Sequence, residues 1–446
     1  GRVVSVLSLF LVTVVSIVEM ATLQLSGCVA PLGGVIVREQ AASFRSASFG
    51  NPAVLRGKSG PPNQRNLMRS LQSSGRDNGD LVRQRIPAVL RIGSKLRTSR
   101  GRHTISCALH KGMSLTQLAA QQGNPEMVLV MGQIQLACKV IASKIARAGI
   151  EDLYGYSEAA GGSTNASGES QKKLDVVSNE IMVDALTRSG QVHVQASEED
   201  EEPFVCSPPG QKGRYVVVFD PLDGSRNIEC SVATGTIFGI YDALEGVDGL
   251  STEEQAMRNA LQPGTSLVAA GYALYSSATM LVLTFGAGTH GFTLDPDLGE
   301  FVMTHPNMQI PKRGQIYSVN DARYHDWPEG LQRYIDTVRQ GKGENPKKYS
   351  ARYICSLVGD FHRTLLYGGG AMNPRSHLRL VYEANPLAFV AEQAGGMGSD
   401  GKRRIMDILP DAVHQRLPLF LGSPEDIKEL ESYGDVQQLV NPGYEV

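Results

Sequence analysis

Cysteine is scarce in this chain and never paired. The six (Cys28, Cys107, Cys138, Cys206, Cys230 and Cys355) form no CxxC pair and no Cys/His cluster. That spacing excludes a zinc module and a disulfide framework as organising features. Scattered core thiols in a reducing compartment are expected instead. Long apolar runs are also missing, since the one at residues 3–18 is too short for a comfortable membrane span. Acid is nearly absent from the first quarter. Between Met20 and Cys107 there are 14 Lys/Arg against only Glu39, Asp77 and Asp80. Residues 1–107 hold 15 basic and 4 acidic side chains and the remainder 28 and 41, so a net of +11 precedes a net of −13. An acidic body argues against nucleic acid as partner. With 446 residues, 41% hydrophobic and 20% charged, the chain has the composition of a soluble two-domain protein.

A basic leader rich in Ser and Arg and poor in acid reads as an organelle transit peptide, and the plastid stroma is the expected location. Ile105-Ser106-Cys107-Ala108 is similar to a plastid processing site with cleavage before Ala108. The apolar run upstream would be the signal half of a two-part leader. A disordered basic arm that binds an acidic partner or RNA is the competing reading. No membrane contact is expected of the mature protein.

What the body does contain is one apolar β-branched run that ends in paired acids: Val216-Val217-Val218-Phe219-Asp220-Pro221-Leu222-Asp223-Gly224-Ser225-Arg226-Asn227. A buried strand would deliver Asp220 and Asp223 to its C-terminal lip. Two carboxylates and the Leu222 carbonyl suit Mg²⁺ or Mn²⁺. The Gly/Ser/Asn turn offers backbone N–H groups to an anion such as phosphate. The bland alternative is a strand end with solvated acids. Upstream, residues 127–148 show helical periodicity, and residues 155–170 read as a mobile loop holding Glu169. The loop leads into a helix that carries Asp175 and runs through Ala185, an arrangement expected of an active-site flap. A strand at Val192–Ala196 is followed by Ser197-Glu198-Glu199-Asp200-Glu201-Glu202. Strand adjacency would bring Glu198 and Glu199 beside Asp220 and Asp223, where cations would have to neutralise the repulsion.

These stretches resemble fructose-1,6-bisphosphatase of the Mg²⁺-dependent class. So do Gly168-Glu169 with Lys172-Lys173-Leu174-Asp175, Thr236-Ile237-Phe238-Gly239-Ile240-Tyr241, and Ala269-Ala270-Gly271-Tyr272-Ala273-Leu274-Tyr275. Asp360-Phe361-His362-Arg363, Leu378-Arg379-Leu380-Val381-Tyr382-Glu383 and His414-Gln415-Arg416 complete the pattern. The resemblance runs from about Met127 to Tyr433. Tyr349-Ser350-Ala351-Arg352-Tyr353 and Glu392-Gln393-Ala394-Gly395-Gly396 are similar to the plastid branch. It implies an α/β fold, a layered α/β/α sandwich in two halves. Residues 1–107 would be leader, 108–305 a metal-binding half and 306–446 a sugar-phosphate-binding half.

The resemblance also implies roles. Metal ligands would be Glu169, Glu198, Glu199, Asp220, the Leu222 carbonyl, Asp223 and Glu383, holding several Mg²⁺ or Mn²⁺ ions. Asp175, Glu199 and Glu169 would be catalytic. Asp223, Gly224, Ser225, Arg226 and Arg379 would hold the 1-phosphate region of a sugar bisphosphate. Asn320, Tyr324, Arg352, Tyr353, Asn373 and His377 would serve the distal phosphate, with Arg352 reaching into a neighbour's site in a homotetramer or homodimer. Three departures stand out. Arg226 replaces a Ser, Asn373 replaces a phosphate-binding Tyr, and His377 replaces a phosphate-binding Lys in a shortened segment. Arg375 is the candidate substitute for the lost cation. Asp242 stands where AMP-binding relatives carry an Arg, so AMP insensitivity is expected. Asp242–Gln262 has no cysteine, so activity indifferent to dithiol reductant is expected. Hydrolysis of fructose 1,6-bisphosphate at its 1-phosphate is the leading reading, in the Calvin cycle or starch synthesis. Sedoheptulose-1,7-bisphosphatase and a non-catalytic sugar-phosphate-binding paralogue are the alternatives. Asn227-Ile228-Glu229 and Asn385-Pro386 favour fructose.

Overall fold

The computed structural model describes residues 109–122, 124–156, 171–208 and 210–439, all within one compact unit, Thr98–Val446. The leader, the processing site at Ala108 and most of the loop with Glu169 lie outside the described residues.

Helices α1 (Leu115–Gln121), α2 (Pro125–Arg147) and α3 (Lys173–Arg188) come first. Asn124 caps α2 by accepting from the Met127 N–H, Pro125 fills the first position, and Lys144 and Arg147 occupy the last turn. Each is a favourable end signal. The helix therefore begins two residues before the apolar periodicity does.

Eight strands follow: β1 (Val192–Ser197), β2 (Phe204–Val205), β3 (Tyr215–Asp223), β4 (Thr234–Asp242), β5 (Leu267–Tyr275), β6 (Thr279–Thr284), β7 (Thr289–Asp295) and β8 (Glu300–Met308). They form one sheet in the order β2-β1-β3-β4-β5-β6-β7-β8. Only the β1–β3 pair is parallel. All nine residues of β3 are buried, which is why its sequence is a continuous apolar run rather than an alternation. Val217 and Phe219 pack toward α1, α2 and α3, whereas Val216 and Val218 join the core on the opposite face. Each such burial is worth about 1.5–3 kcal/mol.

The second sheet collects β9 (Ile316–Ser318), β10 (Ser350–Ala351), β11 (Gly370–Arg379), β12 (Met397–Ser399) and β13 (Arg416–Gly422), in the order β10-β9-β11-β13-β12. Between the sheets lie α4 (Thr252–Ala260), α6 (Leu357–Tyr367) and α7 (Asn385–Gln393). On the far side of the second sheet, α5 (Glu329–Gln340) and α8 (Pro424–Ser432) cover Tyr317, Met372 and Phe420. The layers thus run helix, sheet, helix, sheet, helix, two more than a plain α/β/α sandwich. The segment Asp242–Gln262 contains α4, which takes up nine of its residues.

Cysteine placement differs from expectation. Cys138 is buried, and burial pushes its thiol up to about 12. Cys230 and Cys355, however, are exposed. Both lie in irregular segments rather than in the packed strands and helices, Cys230 at the end of a 3₁₀ turn and Cys355 in the loop before α6.

Candidate active site

Parallel pairing of β1 and β3, with Ser197 opposite Phe219, does for the acids what strand adjacency predicted. Both strands end on the same side, so Glu198 and Glu199 meet Asp220 and Asp223. The five-acid run divides accordingly: Glu198 is buried, whereas Glu201 and Glu202 are exposed. The β3–β4 register slips between Asp220 and Asp223, so Asp-Pro-Leu-Asp is an irregular end of the strand itself. The Leu222 N–H donates to Asp220 Oδ1 at 2.9 Å. A π-helical turn at Leu380–Ala384, between β11 and α7, brings in Glu383. Such turns are frequent at functional sites.

Oxygens of Glu198, Asp220 and Glu383 all lie within 4.8 Å of one another, and all three residues are buried. Asp220 Oδ2 is a buried acceptor with no hydrogen-bond partner. An acid cluster with an orphaned oxygen is costly unless a cation completes it. The all-oxygen donor set fits a hard divalent ion. The protonation behaviour agrees. Burial, then Glu198, Asp223 and Glu383, push Asp220 well above its ordinary value. Burial raises Glu383 to about 8 against the lowering pull of Arg379. It raises Asp223 to about 7, although the Val358 N–H donates to Asp223 Oδ2 at 3.1 Å. Arg379 is the one buried cation here among the described residues. Its Nη2 lies 2.7 Å from Glu198 Oε1, and its backbone N–H donates to Glu383 Oε2.

Two acids flank this trio. Asp175, in the first turn of α3, accepts from the Lys172 N–H at 2.8 Å through Oδ2, while Oδ1 has no partner. Burial lifts it to about 6. Glu199 accepts from Gln171 Nε2 at 2.6 Å, and burial followed by Asp175 and Glu198 lifts it to about 8.

All of these acids except the undescribed Glu169 line one cleft of about 380 Å³, within the size range of small-molecule sites. Leu222, Gly224, Ser225, Arg226, Asn320, Tyr353, Asn373, His377 and Arg379 line it too. Gly224 sits at φ 77° at the head of a 3₁₀ turn, Ser225–Cys230, a conformation open to glycine at little cost. The cleft leaves out Tyr324 and Arg352. The Tyr324 hydroxyl donates to Asp336 at 2.6 Å, with its ring 5.5 Å from Trp327. Arg352 is exposed and donates to its neighbour's carbonyl, Ala351 O, at 2.9 Å. Asn385 is fully buried behind the π turn and does not line the cleft, so it reads no sugar directly.

His377 is the sharpest departure. Burial, then Arg375, Arg379, Arg416 and Arg226, push its imidazole down to about 3. It is neutral at physiological pH, and the positive charge around it resides on guanidinium groups. Sequence reasoning missed Arg323, Trp327, Cys355, Ser356, Asp360 and Gln438, which also line the cleft. Arg323 lies within the same short turn as Tyr324, where no periodicity says which side chain points inward.

With this geometry in place, comparison with known proteins is decisive. The family model for the N-terminal domain of fructose-1,6-bisphosphatase matches residues 108–306, and that for its C-terminal domain matches 310–435. The chain belongs to the fructose-1,6-bisphosphatase family. It is 49% identical over 337 residues to the chloroplastic fructose-1,6-bisphosphatase 1 of Arabidopsis thaliana, covering 72% of this chain and 79% of the relative. It is 45% identical over 313 residues to the cytosolic enzyme of the same plant, covering 69% and 88%. Leishmania major fructose-1,6-bisphosphatase in its holo form superposes with a TM-score of 0.68 at 41% identity, covering 73% of this chain and all of that one. Members of this family are phosphatases, and the acid cluster and cleft sit on the family's fold.

Proposed function

We propose that this chain hydrolyses the 1-phosphate of fructose 1,6-bisphosphate, giving fructose 6-phosphate and inorganic phosphate. The observation that carries the reading is the meeting of Glu198, Asp220 and Glu383, with an orphaned Asp220 oxygen, in the same cleft as Asp175, Arg379 and the Gly224 turn. Glu198, Glu199, Asp220, Asp223, the Leu222 carbonyl and Glu383 would hold Mg²⁺, with Mn²⁺ as substitute, and Glu169 would add a further ligand. Bound there, the ions supply charge neutralisation for phosphoryl transfer. The chain's own groups do the rest. Gly224 and Ser225 present the phosphate with the 3₁₀ turn, and Arg379 offers it a fixed cation. Asp175 and Glu199 would orient a water and take its proton as its oxygen bonds to phosphorus, while the bond from phosphorus to the C1 oxygen breaks and that oxygen takes up a proton as it leaves with fructose 6-phosphate. Glu169 would assist when its loop is in place.

The distal 6-phosphate would be met by Asn320, Tyr353, Asn373 and His377, with Arg375 supplying the charge His377 lacks. Tyr324 and Arg352 would act from outside this cleft, Arg352 across an interface in a homodimer or homotetramer. Residues 108–305 and 306–446 would be the two halves of a mature plastid-stroma enzyme released by cleavage before Ala108. The chloroplastic names of several relatives and the basic, acid-poor leader support this location. N-terminal sequencing of protein purified from plastids tests it, and a start well upstream of residue 100 defeats it. The catalytic reading is tested by phosphate release from fructose 1,6-bisphosphate and from sedoheptulose 1,7-bisphosphate, each with and without Mg²⁺. Mg²⁺-dependent release that prefers the fructose substrate is expected. A preference for sedoheptulose, or no release from either, overturns it.

A further inference from the structure

The loop between β10 and α6 carries Tyr353 into the cleft and is held in an unusual way. Asp360, buried near the start of α6, turns its carboxylate back on the loop. It accepts from the Ile354 N–H at 3.0 Å, the Cys355 N–H at 3.1 Å and the Ser356 N–H at 3.4 Å. Arg363, one turn on, donates to the Arg352 carbonyl at 2.7 Å. From the phosphate turn, Asn227 Nδ2 donates to the Cys355 carbonyl at 2.7 Å. Two residues after Ser356, the Val358 N–H donates to Asp223. A single short segment therefore joins Tyr353, on the sugar side, to Asp223, in the acid cluster. Within it Cys355 adopts φ 66°, a left-handed conformation that disfavours any residue with a Cβ. Three N–H groups converging on one carboxylate hold the backbone in that disfavoured state.

We propose that Asp360 is a positioning residue that sets the spacing between Tyr353 and Asp223, and hence the fit of a bisphosphate across the cleft. The inference rests on the hydrolase reading above. Although Asp360 borders the cleft, its oxygens are engaged by the three loop N–H groups and by Arg363 at 3.6 Å, so its effect on substrate runs through the loop. Their hydrogen bonds keep Cys355 in its left-handed state, so that Tyr353 faces the distal phosphate. Glycine at 355 adopts that conformation unaided, so the need for Asp360 should diminish when Cys355 is glycine.

The test uses the full mature chain loaded with Mg²⁺. Asp360→Asn retains the shape but weakens the acceptor, and KM for fructose 1,6-bisphosphate should rise about tenfold or more while kcat changes by less than about threefold. In the D360N/C355G double variant, most of that KM loss should be recovered. A fall in thermal midpoint in D360N with KM unchanged would make Asp360 merely structural and overturn the inference. So would a KM loss that C355G leaves unrelieved. If D360N fails to fold, Asp360→Glu serves in its place, with the same KM criterion and the same rescue by C355G. Absence of any phosphate release from the unaltered protein would overturn the hydrolase reading instead, so the two failures are distinct.

Discussion

Asp220 is buried, crowded by three other acids and left with one oxygen unpartnered. Its hydrogen bond from the Leu222 N–H does not offset burial among three acids in the metal-free protein, so its presence trades stability for function. Asp220→Asn should therefore raise the metal-free thermal midpoint by several degrees while lowering kcat by roughly 10²-fold or more, read by calorimetry and by phosphate release. A variant both less stable and fully active would contradict this account. At the other side of the cleft, His377 is neutral because it is half-buried and surrounded by guanidinium groups. The charge that grips a distal phosphate should then come from Arg375. Losing a charge-assisted hydrogen bond costs about 1.5–3 kcal/mol. Arg375→Ala is expected to raise KM about tenfold to a hundredfold, and His377→Ala by no more than about threefold, in steady-state assays.

At the scale of elements, the sequence was most informative where one physical requirement dominated. The run Val216–Asp223 could only be a doubly covered strand, and β3 is one. The strand read at Val192–Ala196 is also present as β1, but its alternating apolar and polar residues gave no sign that all of it would be buried. Asn124 and Pro125 mark the start of α2, which periodicity alone placed two residues late. Less legible was the π turn at Leu380–Ala384. It lies directly between β11 and α7, so no helical periodicity leads into it, Pro386 marks only the start of the helix that follows, and only the resemblance promoted Glu383 from an isolated acid to a ligand. The end of β4 bears on regulation. Asp242 is exposed and lies 3.1 Å from Arg214, which also approaches Glu126 at 3.9 Å. A cation is present there, but it is already engaged by carboxylates that repel phosphate. Titration with AMP over physiological concentrations should leave activity unchanged, and strong inhibition would refute this expectation.

For the whole molecule, the acid cluster couples stability to pH and to cations. Glu383 and Glu199 each rise from an ordinary 4.5 to about 8 in the folded, metal-free state. A carboxyl whose folded value is raised favours the folded state below its unfolded value, and that contribution is lost as pH rises through the folded value. The window therefore runs from about 4.5 to about 8. Between about pH 5 and pH 8 the metal-free thermal midpoint should fall relative to the Mg²⁺-loaded one, so the stabilisation conferred by Mg²⁺ should grow. Mg²⁺ binding should also release protons, visible as a buffer-dependent heat in titration calorimetry. A Mg²⁺ effect independent of pH would contradict both statements.

Residue order alone determined the strand that ends in Asp220 and Asp223, the acids that follow β1, and the glycine turn beside them. Each is specified by local sequence: a continuous β-branched apolar run, a fixed proline, a residue without Cβ. The tertiary structure decided which distant groups join them. Glu383 arrives from the junction of β11 and α7, and Asp360 reaches back along α6 to a loop that no periodicity describes. It also decided that Tyr324 and Arg352 stay outside the cleft while Arg323 and Arg375 line it. Those outcomes depend on how two sheets pack across a shared helical layer, and that packing is a property of many weak long-range contacts rather than of any one stretch.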